Sequence, residues 1–146
     1  MKKIKLNRLL ILVGIIVMIF SSCSTKKKGY INRKYHDITA KYNGYFNGRE
    51  SLKYGVLKLE KSHIEDYTEI LPVYKTSQIL LSKNHIPYMD KAIKKGSIVI
   101  QKHSIKIKNK EYCKWIDDSY FLIAQAYYYK GEFLEAEKTF QFIVKN

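Results

Sequence analysis

The sequence predicts an all-α fold built from helical hairpins stacked as an α-solenoid, preceded by an export signal and a flexible tether. Three observations lead to this prediction. Only two prolines and seven glycines interrupt the 146 residues. Beyond the signal, apolar residues recur at spacings of three and four, the period of an amphipathic helix. No long stretch alternates between apolar and polar side chains as a half-buried strand would.

A lipoprotein export signal is predicted at the N-terminus. Four basic residues fall within the first eight positions, and the twelve residues that follow, 9–20, carry no charge. Such a run suits a signal peptide and is short for a bilayer span, although a transmembrane anchor is the alternative. Ser21 and Ser22 then lead into Cys23, an ending that resembles a bacterial lipobox. We therefore expect residues 1–22 to be a signal peptide and Cys23 to carry a diacylglyceryl or acyl membrane anchor.

The charge of the mature chain follows from that cleavage. Removing residues 1–22 takes away four of the 27 basic residues and none of the 13 acidic ones, which leaves a net charge of +10. An exported protein rarely meets nucleic acid, so we connect this charge with membrane surfaces or acidic partners, the alternative being a compositional bias. Residues 23–34 are expected to form a basic tether, in which Ser24 follows the cysteine and no acid lies nearby. By analogy with lipoprotein sorting, this predicts an outer-membrane anchor and a body that faces the periplasm.

Residues 35–110 are expected to form a degenerate, repeat-like helical region. A first helix is predicted from near Tyr35 to Asn47-Gly48, a pair typical of a helix stop. A second amphipathic helix follows and ends near Ser62. The apolar residues that define these two helices are Ile38, Tyr42, Tyr45, Phe46, Leu52, Val56 and Leu59.

A further helix is predicted after a segment without a clear helical period. Residues 66–74 contain a proline and β-branched residues and are expected to be extended, and residues 79–81 to form a short helix. Pro87 suits the first turn of the next helix, which should end near Lys102. Residues 104–110 alternate briefly, and we expect a loop there, with a short strand as the alternative. The apolar face of the helix after Pro87 is predicted to consist of Met89, Ile93, Gly96 and Ile100.

Residues 111–146 carry the clearest structural pattern. Two helices, at about 112–130 and 133–145, are separated by Gly131, which can adopt the left-handed conformation that ends a helix. An alanine on each helix would let the two backbones approach closely. The pattern matches a tetratricopeptide repeat, a helical hairpin, with a generic helical hairpin as the alternative. The predicted packing positions are Tyr120, Ile123, Ala124, Tyr127, Gly131, Ala136, Phe140 and Ile143.

A weaker similarity to this hairpin pattern lies earlier in the chain. Residues 45–48 (YFNG) resemble residues 128–131 (YYKG), which predicts a degenerate hairpin turn at Gly48. Hairpins of this type bury their apolar faces only by stacking on neighbours. We therefore expect either that the array continues beyond Asn146 or that a partner covers the last hairpin.

Four segments of the mature chain resemble a known family. They read CSTKKKG, YHDITAKYNGYFNGRESLKYG, DYTEILPVYK, and the long stretch from MDKAIKKGS to FQFIV. They are similar to the N-terminal region of gliding motility proteins of the SprE/PorW type, tetratricopeptide lipoproteins associated with type IX secretion. The resemblance implies an outer-membrane lipoprotein that faces the periplasm. It further implies a scaffold that links components of the secretion machinery and so supports protein export and gliding.

Tetratricopeptide arrays usually bind partners on the concave face lined by their first helices. Tyrosines suit such a surface because they offer a large contact area with a polar tip. The alternative is that a neighbouring helix covers the same positions. The residues projected onto the concave face are Asp118, Phe121, Gln125, Tyr128 and Tyr129.

No catalytic site, metal site or cofactor is expected. Asp117 and Asp118 are adjacent on a helix and point about 100° apart, so they cannot act on one bond together. Cys113 has no disulfide partner once Cys23 is lipidated, and we expect it to be a small packing residue. The histidines lie far apart in the sequence and lack an i, i+4 pair. They are His36, His63, His85 and His103.

Two further functional classes remain open. A lipoprotein of this kind could bind glycan or peptidoglycan, because aromatic surfaces stack on sugars. A cell-envelope hydrolase would need a cleft with two carboxylates at a fixed separation. We expect protein partners and no small-molecule substrate.

Overall fold

Helices account for most of the residues that the computed structural model describes, namely 29–62, 64, 67, 68, 70, 71 and 83–145. The predicted all-α class is therefore confirmed. None of the helices in these described ranges is long and apolar enough to cross a membrane. The predicted signal peptide, Cys23 and the segments 72–74 and 79–81 lie outside the described residues. In chain order, the elements are α1 (Tyr30–Thr39), a π-helix (Ala40–Tyr45), α2 (Phe46–Ser62), α3 (Ile86–His103), β1 (Lys106–Ile107), β2 (Lys110–Glu111), α4 (Trp115–Lys130) and α5 (Phe133–Lys145).

The chain is helical without a break from Tyr30 to Ser62, because the π-helix joins α1 directly to α2. The predicted stop at Asn47-Gly48 and the hairpin turn at Gly48 are therefore wrong, whereas the end near Ser62 is confirmed. The helix also begins earlier than Tyr35, so residues 30–34 of the predicted tether are helical. The reason lies in packing: Gly48 is buried, and a Cβ atom there would lie 2.7 Å from Leu122 Cδ2.

The predicted apolar face of the first helix is correct only for Tyr45, which packs against both core clusters. Ile38, Tyr42 and Phe46 are exposed, while small residues, Ala40 and Gly44, are buried in their place. The π-helix inserts an extra residue into a turn and so shifts every later position around the axis, which breaks the 3.6-residue period. Small side chains then let the helix backbone lie close to α3.

Helix α3 runs antiparallel to the segment before it, because Gly44 lies against Val99 whereas Gly55 lies against Met89. It also runs antiparallel to α4, because Gly96 lies against Ile123 whereas His85 Nε2, just before α3, lies 2.7 Å from the Tyr129 carbonyl. Ser51 Oγ of α2 donates to the Tyr88 carbonyl of α3 at 2.9 Å. Pro87 lies in the first turn of α3, as predicted. Contacts between these elements define one compact unit, Arg33–Asn146. The two clusters of its core consist of Leu52, Met89, Ala92, Leu122 and Ala126, and of Ala40, Val99, Cys113 and Ile116.

The buried face of α3 is displaced slightly from the predicted one. Met89 and Gly96 are buried as expected, but Ala92 and Val99 complete the face. Ile93 and Ile100, at its edge, are half-buried. The helix ends at His103, one residue beyond the expected end.

The connection between α3 and α4 is a β-hairpin, so the expectation of a loop at residues 104–110 is wrong. Lys106 pairs with Glu111 and Ile107 with Lys110. Lys108 and Asn109 have φ angles of 48° and 60°, which is the signature of a two-residue type I′ turn. The alternation of apolar and charged residues was the correct signal, since it matches the period of a strand.

Glu111 holds this connection in place through four hydrogen bonds to its carboxylate. Its Oε1 accepts the backbone N–H groups of Ile105, Tyr112 and Cys113 at 2.8–2.9 Å. Its Oε2 accepts the Ser104 hydroxyl at 2.6 Å. Burial alone would raise the pKa of Glu111, but these hydrogen bonds together lower it below its ordinary value of 4.5. The sequence offered no signal for this role.

We expect Glu111 to make the fold sensitive to acid. Its folded-state pKa is depressed, so its stabilising effect is complete above about pH 4.5 and is lost as the pH falls through the folded-state pKa. Glu111→Gln should lower the free energy of unfolding at neutral pH by about 1–3 kcal/mol, and should flatten its dependence on pH below 4.5. Urea unfolding across that range measures both, with the exposed Glu60→Gln as control. A variant with the wild-type acid profile would contradict this role.

The last two helices form an antiparallel hairpin around Gly131. Gly131 has a φ of 87° and ends α4 in the left-handed conformation. Its N–H donates to the Tyr128 carbonyl, and the Glu132 N–H donates to the Tyr127 carbonyl, each at 3.0 Å. The predicted turn at Gly131 and the bounds of α5 are confirmed, while α4 begins at Trp115 rather than near residue 112.

Candidate protein-binding face

Helix α5 leaves most of its apolar surface uncovered. Ala136 is its buried residue, whereas the exposed fractions of Leu134 and Val144 are 64% and 86%. An open groove of about 630 Å³ runs along this helix. We call it the α5 groove; its lining residues are Tyr128, Phe133, Glu137, Phe140, Gln141, Val144 and Lys145.

Ring contacts between α4 and α5 fix the aromatic side chains around this face. The centroids of Phe121 and Phe140 are 5.8 Å apart, and those of Tyr128 and Phe133 are 5.6 Å apart. Both pairs meet edge to face, the arrangement that aromatic quadrupoles favour. The rings are therefore held in position before any partner arrives, which reduces the entropy that binding would cost.

Four of the five residues projected onto a concave face follow one side of α4. Asp118 and Phe121 are exposed, Tyr128 is 39% exposed, and Gln125 is half-buried. Tyr129 departs from this set because it packs against the core cluster that contains Leu52. Tyr128 alone of the set reaches the α5 groove.

The predicted packing residues of the hairpin divide into two groups. Ile123, Ala124 and Ala136 are buried, as a close crossing of two helices requires. The larger side chains of the set, Tyr120, Tyr127, Phe140 and Ile143, are only half-buried. Tyr120 stacks on Phe142 with centroids 4.8 Å apart. The small residues at the crossing of the two helices are therefore buried, whereas the larger side chains of the hairpin remain partly accessible to solvent.

Several lining residues of the α5 groove were not predicted. Phe140 lines the groove, although the sequence pattern assigned it to packing between the two helices. The lining residues that were not predicted at all are Phe133, Glu137, Gln141, Val144 and Lys145. The sequence did contain a signal, because α5 has more large apolar residues than one buried stripe needs. An apolar excess of this kind marks a surface that another structure covers.

The charged residues near the hairpin are paired or solvated. Lys130 Nζ lies 2.6 Å from Glu132 Oε1 and 2.9 Å from Asp90 Oδ1, and these partners raise its pKa. Asp117 and Asp118 are exposed in the first turn of α4, where they interact favourably with the helix dipole. Within the described ranges, no group of three or more His, Cys, Asp or Glu side chains could hold a metal ion.

Cys113 is buried in the core cluster of Val99 and Ile116. Burial raises the pKa of its thiol to about 11. The thiol therefore stays protonated at neutral pH and behaves as a packing group.

A second, smaller pocket of about 80 Å³ combines aromatic rings with cationic side chains. Tyr45 and Trp115 stack with centroids 5.1 Å apart, and Lys41 Nζ lies 5.1 Å from the Trp115 ring centroid. Residues from the π-helix, α2 and α4 meet here, so the spacing of residues in the sequence gave no indication of it. Its lining residues are Lys41, Tyr42, Tyr45, Phe46, Arg49 and Trp115.

No protein-family model matches the chain, and no curated protein matches it.

Proposed function

We propose that this protein is a scaffold lipoprotein of the bacterial envelope, built on a tetratricopeptide-type hairpin, that binds other proteins through the α5 groove. Its partners would be components of the type IX secretion and gliding machinery, and its anchor would be an acyl chain on Cys23 in the outer membrane. The body would face the periplasm. The protein would act by binding and would catalyse no reaction.

The observation that carries this proposal is the uncovered apolar face of α5. A groove of about 630 Å³ lined by aromatic and aliphatic side chains is large enough to take several apolar side chains of a partner helix or loop. Glu137 and Lys145 line it as well, which gives the polar elements that orient a partner. Support for the repeat type comes from the two short antiparallel helices, the buried alanines and the left-handed Gly131.

Val144→Glu should weaken partner binding by more than about tenfold and leave the fold intact. Val144 is 86% exposed, so the charge costs folding little, but it would enter the apolar groove that the partner fills. Loss of a central interface contact of about 2 kcal/mol corresponds to a loss of affinity of more than about tenfold. The measurement is recovery of secretion-machinery proteins with the tagged chain from solubilised membranes.

Leu57→Glu on α2 is the matched control, since it adds the same charge to an exposed apolar position outside the groove. Its recovery of partners should equal that of the wild-type protein. Equal recovery by Val144→Glu and the wild type would exclude the α5 groove as the binding surface.

The anchoring part of the proposal has its own test. Cys23→Ala should release the protein from membranes and abolish labelling with a radioactive or clickable fatty acid. Cys113→Ala is the control because it removes the other cysteine and leaves the proposed lipid attachment unchanged. A Cys23→Ala protein that stays in the membrane fraction would show that the lipobox interpretation is wrong.

The small cationic pocket favours glycan or peptidoglycan binding as a second candidate function. Aromatic rings such as Tyr42 and Trp115 offer stacking surfaces to sugar rings, and Lys41 would attract the carboxylates of an acidic glycan. Co-sedimentation with purified peptidoglycan, reduced by Lys41→Gln and unaffected by Val144→Glu, would favour this function. Absence of co-sedimentation would exclude it.

A further inference from the structure

Two histidines that are distant in the sequence meet at the junction of α1 and α3. His36 lies in α1, and His103 is the last residue of α3. Their Nδ1 atoms are 3.0 Å apart, and their ring centroids are 5.2 Å apart with an interplanar angle of 67°. Both side chains are half-buried, so solutes can reach the pair. Thr39 Oγ1 lies 3.4 Å from the same nitrogen of His103.

The separation of the two nitrogens is close to the one that two adjacent ligands of a single metal ion require. With metal–nitrogen bonds of about 2.0–2.1 Å, a nitrogen separation of 3.0 Å corresponds to an angle at the metal of about 94°. A tetrahedral zinc site would need the nitrogens about 3.3–3.4 Å apart. Angles near 90° belong to adjacent positions of a square-planar or tetragonal site, the geometry of copper(II) and nickel(II).

The geometry points to a copper(II) site in which the Nδ1 atoms of His36 and His103 are two adjacent equatorial ligands. Water would fill the other positions, and the Thr39 hydroxyl is placed to hydrogen-bond to one of those waters. Copper(II) is the preferred ion because it binds nitrogen ligands more tightly than the other divalent metals of its row. The bound ion would tie α1 to the end of α3.

Binding requires only a small local rearrangement. Each imidazole must turn until its Nδ1 lone pair points about 43° away from the line between the two nitrogens, as follows from bonds of about 2.05 Å. The side-chain torsion involved is a soft one, so this rotation costs little. The hydrogen bond between the two rings is lost. The ring that donates it moves its proton from Nδ1 to Nε2 through solvent and stays neutral, so that both Nδ1 lone pairs can bind the metal.

Titration of the full-length chain in detergent with copper(II), near pH 7.5 where an ordinary histidine is neutral, tests the site. We expect one equivalent to bind, with an electron paramagnetic resonance spectrum that shows coupling to two equatorial nitrogens. His36→Gln and His103→Gln should each weaken binding by at least about tenfold, since even the loss of a supporting residue costs that much. Each variant should show coupling to a single nitrogen.

His63→Gln is the matched control and should bind copper like the wild type. Coupling to two nitrogens that is lost in both His36 and His103 variants supports the site. Wild-type affinity in either variant, or coupling to fewer than two nitrogens in the unaltered protein, would overturn it. The spectrum of the unaltered protein decides the question even where a variant folds poorly. Tighter binding of zinc than of copper would also contradict the assignment of copper(II) to this site.

Discussion

Replacement of Ala136 by glutamate should lower the free energy of unfolding by about 3–5 kcal/mol, the cost of leaving a charge buried without a partner. Ala136 is 2% exposed and is the buried residue of α5. A carboxylate there must either stay desolvated against α4 or separate the two helices. The first outcome costs desolvation free energy, and the second removes the contacts between α4 and α5. Urea unfolding followed by far-ultraviolet circular dichroism measures the change.

Leu134→Glu provides the matched control on the same helix. Leu134 is 64% exposed, so the carboxylate of a glutamate at this position remains in water. The free energy of unfolding should change by no more than about 0.5 kcal/mol. Equal midpoints for the two variants would contradict the packing of α5 against α4. A large effect confined to Ala136→Glu would show that α5 is docked through this residue, although most of its apolar surface is open.

The hairpin of α4 and α5 could be predicted because its determinants are local. Gly131 supplies the left-handed residue that ends α4, and the two helices that flank it are periodic and short. Ala124 and Ala136 mark the sites where side chains must be small. Each of these features acts within a few residues of the turn, so a single sequence records them.

The continuous helix from Tyr30 to Ser62 could not be predicted from local signals, because those signals predict that the helix ends at residues 47–48. Asn47-Gly48 resembles a helix stop, and glycine inside a helix costs about 1 kcal/mol relative to alanine. The close approach of Leu122 to Gly48 offsets that cost through packing. Lys95 and Ala92 of α3 approach the same position, so contacts with residues more than forty positions away explain why this glycine is helical.

The same limit applies to the polar sites. The pairing of His36 with His103 and the backbone amides gathered around Glu111 both depend on how α1, α3 and the β-hairpin meet. The histidines lie far apart in the sequence and lack an i, i+4 pair, so the sequence gave no indication that His36 and His103 meet. The α5 groove was partly foreseeable, since α5 carries more apolar residues than one contact face needs.

Gly96→Leu should destabilise the fold by about 1–3 kcal/mol or more, because α3 and α4 pack too closely for a side chain at this position. A Cβ atom on Gly96 would lie 2.8 Å from Ile123 Cγ1 and 3.2 Å from the backbone oxygen of Ser119. The side chain of Ile123 could turn away, but the carbonyl of Ser119 belongs to α4 itself. The helices must therefore separate. The same glycine-to-leucine change in an unhindered helix would stabilise it by up to about 1 kcal/mol.

This opposition of signs makes the experiment decisive. If propensity dominated, Gly96→Leu would raise the urea midpoint; if close packing dominates, as we expect, it lowers the midpoint. Gly29→Leu is the control, because nothing lies within 4 Å of a Cβ atom at Gly29, and it should change the free energy of unfolding by no more than about 0.5 kcal/mol. Gly96→Ala should fall between Gly96→Leu and the wild type, since its methyl group meets these same atoms but lacks the three further carbons of leucine. A midpoint for Gly96→Leu at or above that of the wild type would mean that α3 and α4 do not approach as closely as the backbone at Ser119 implies.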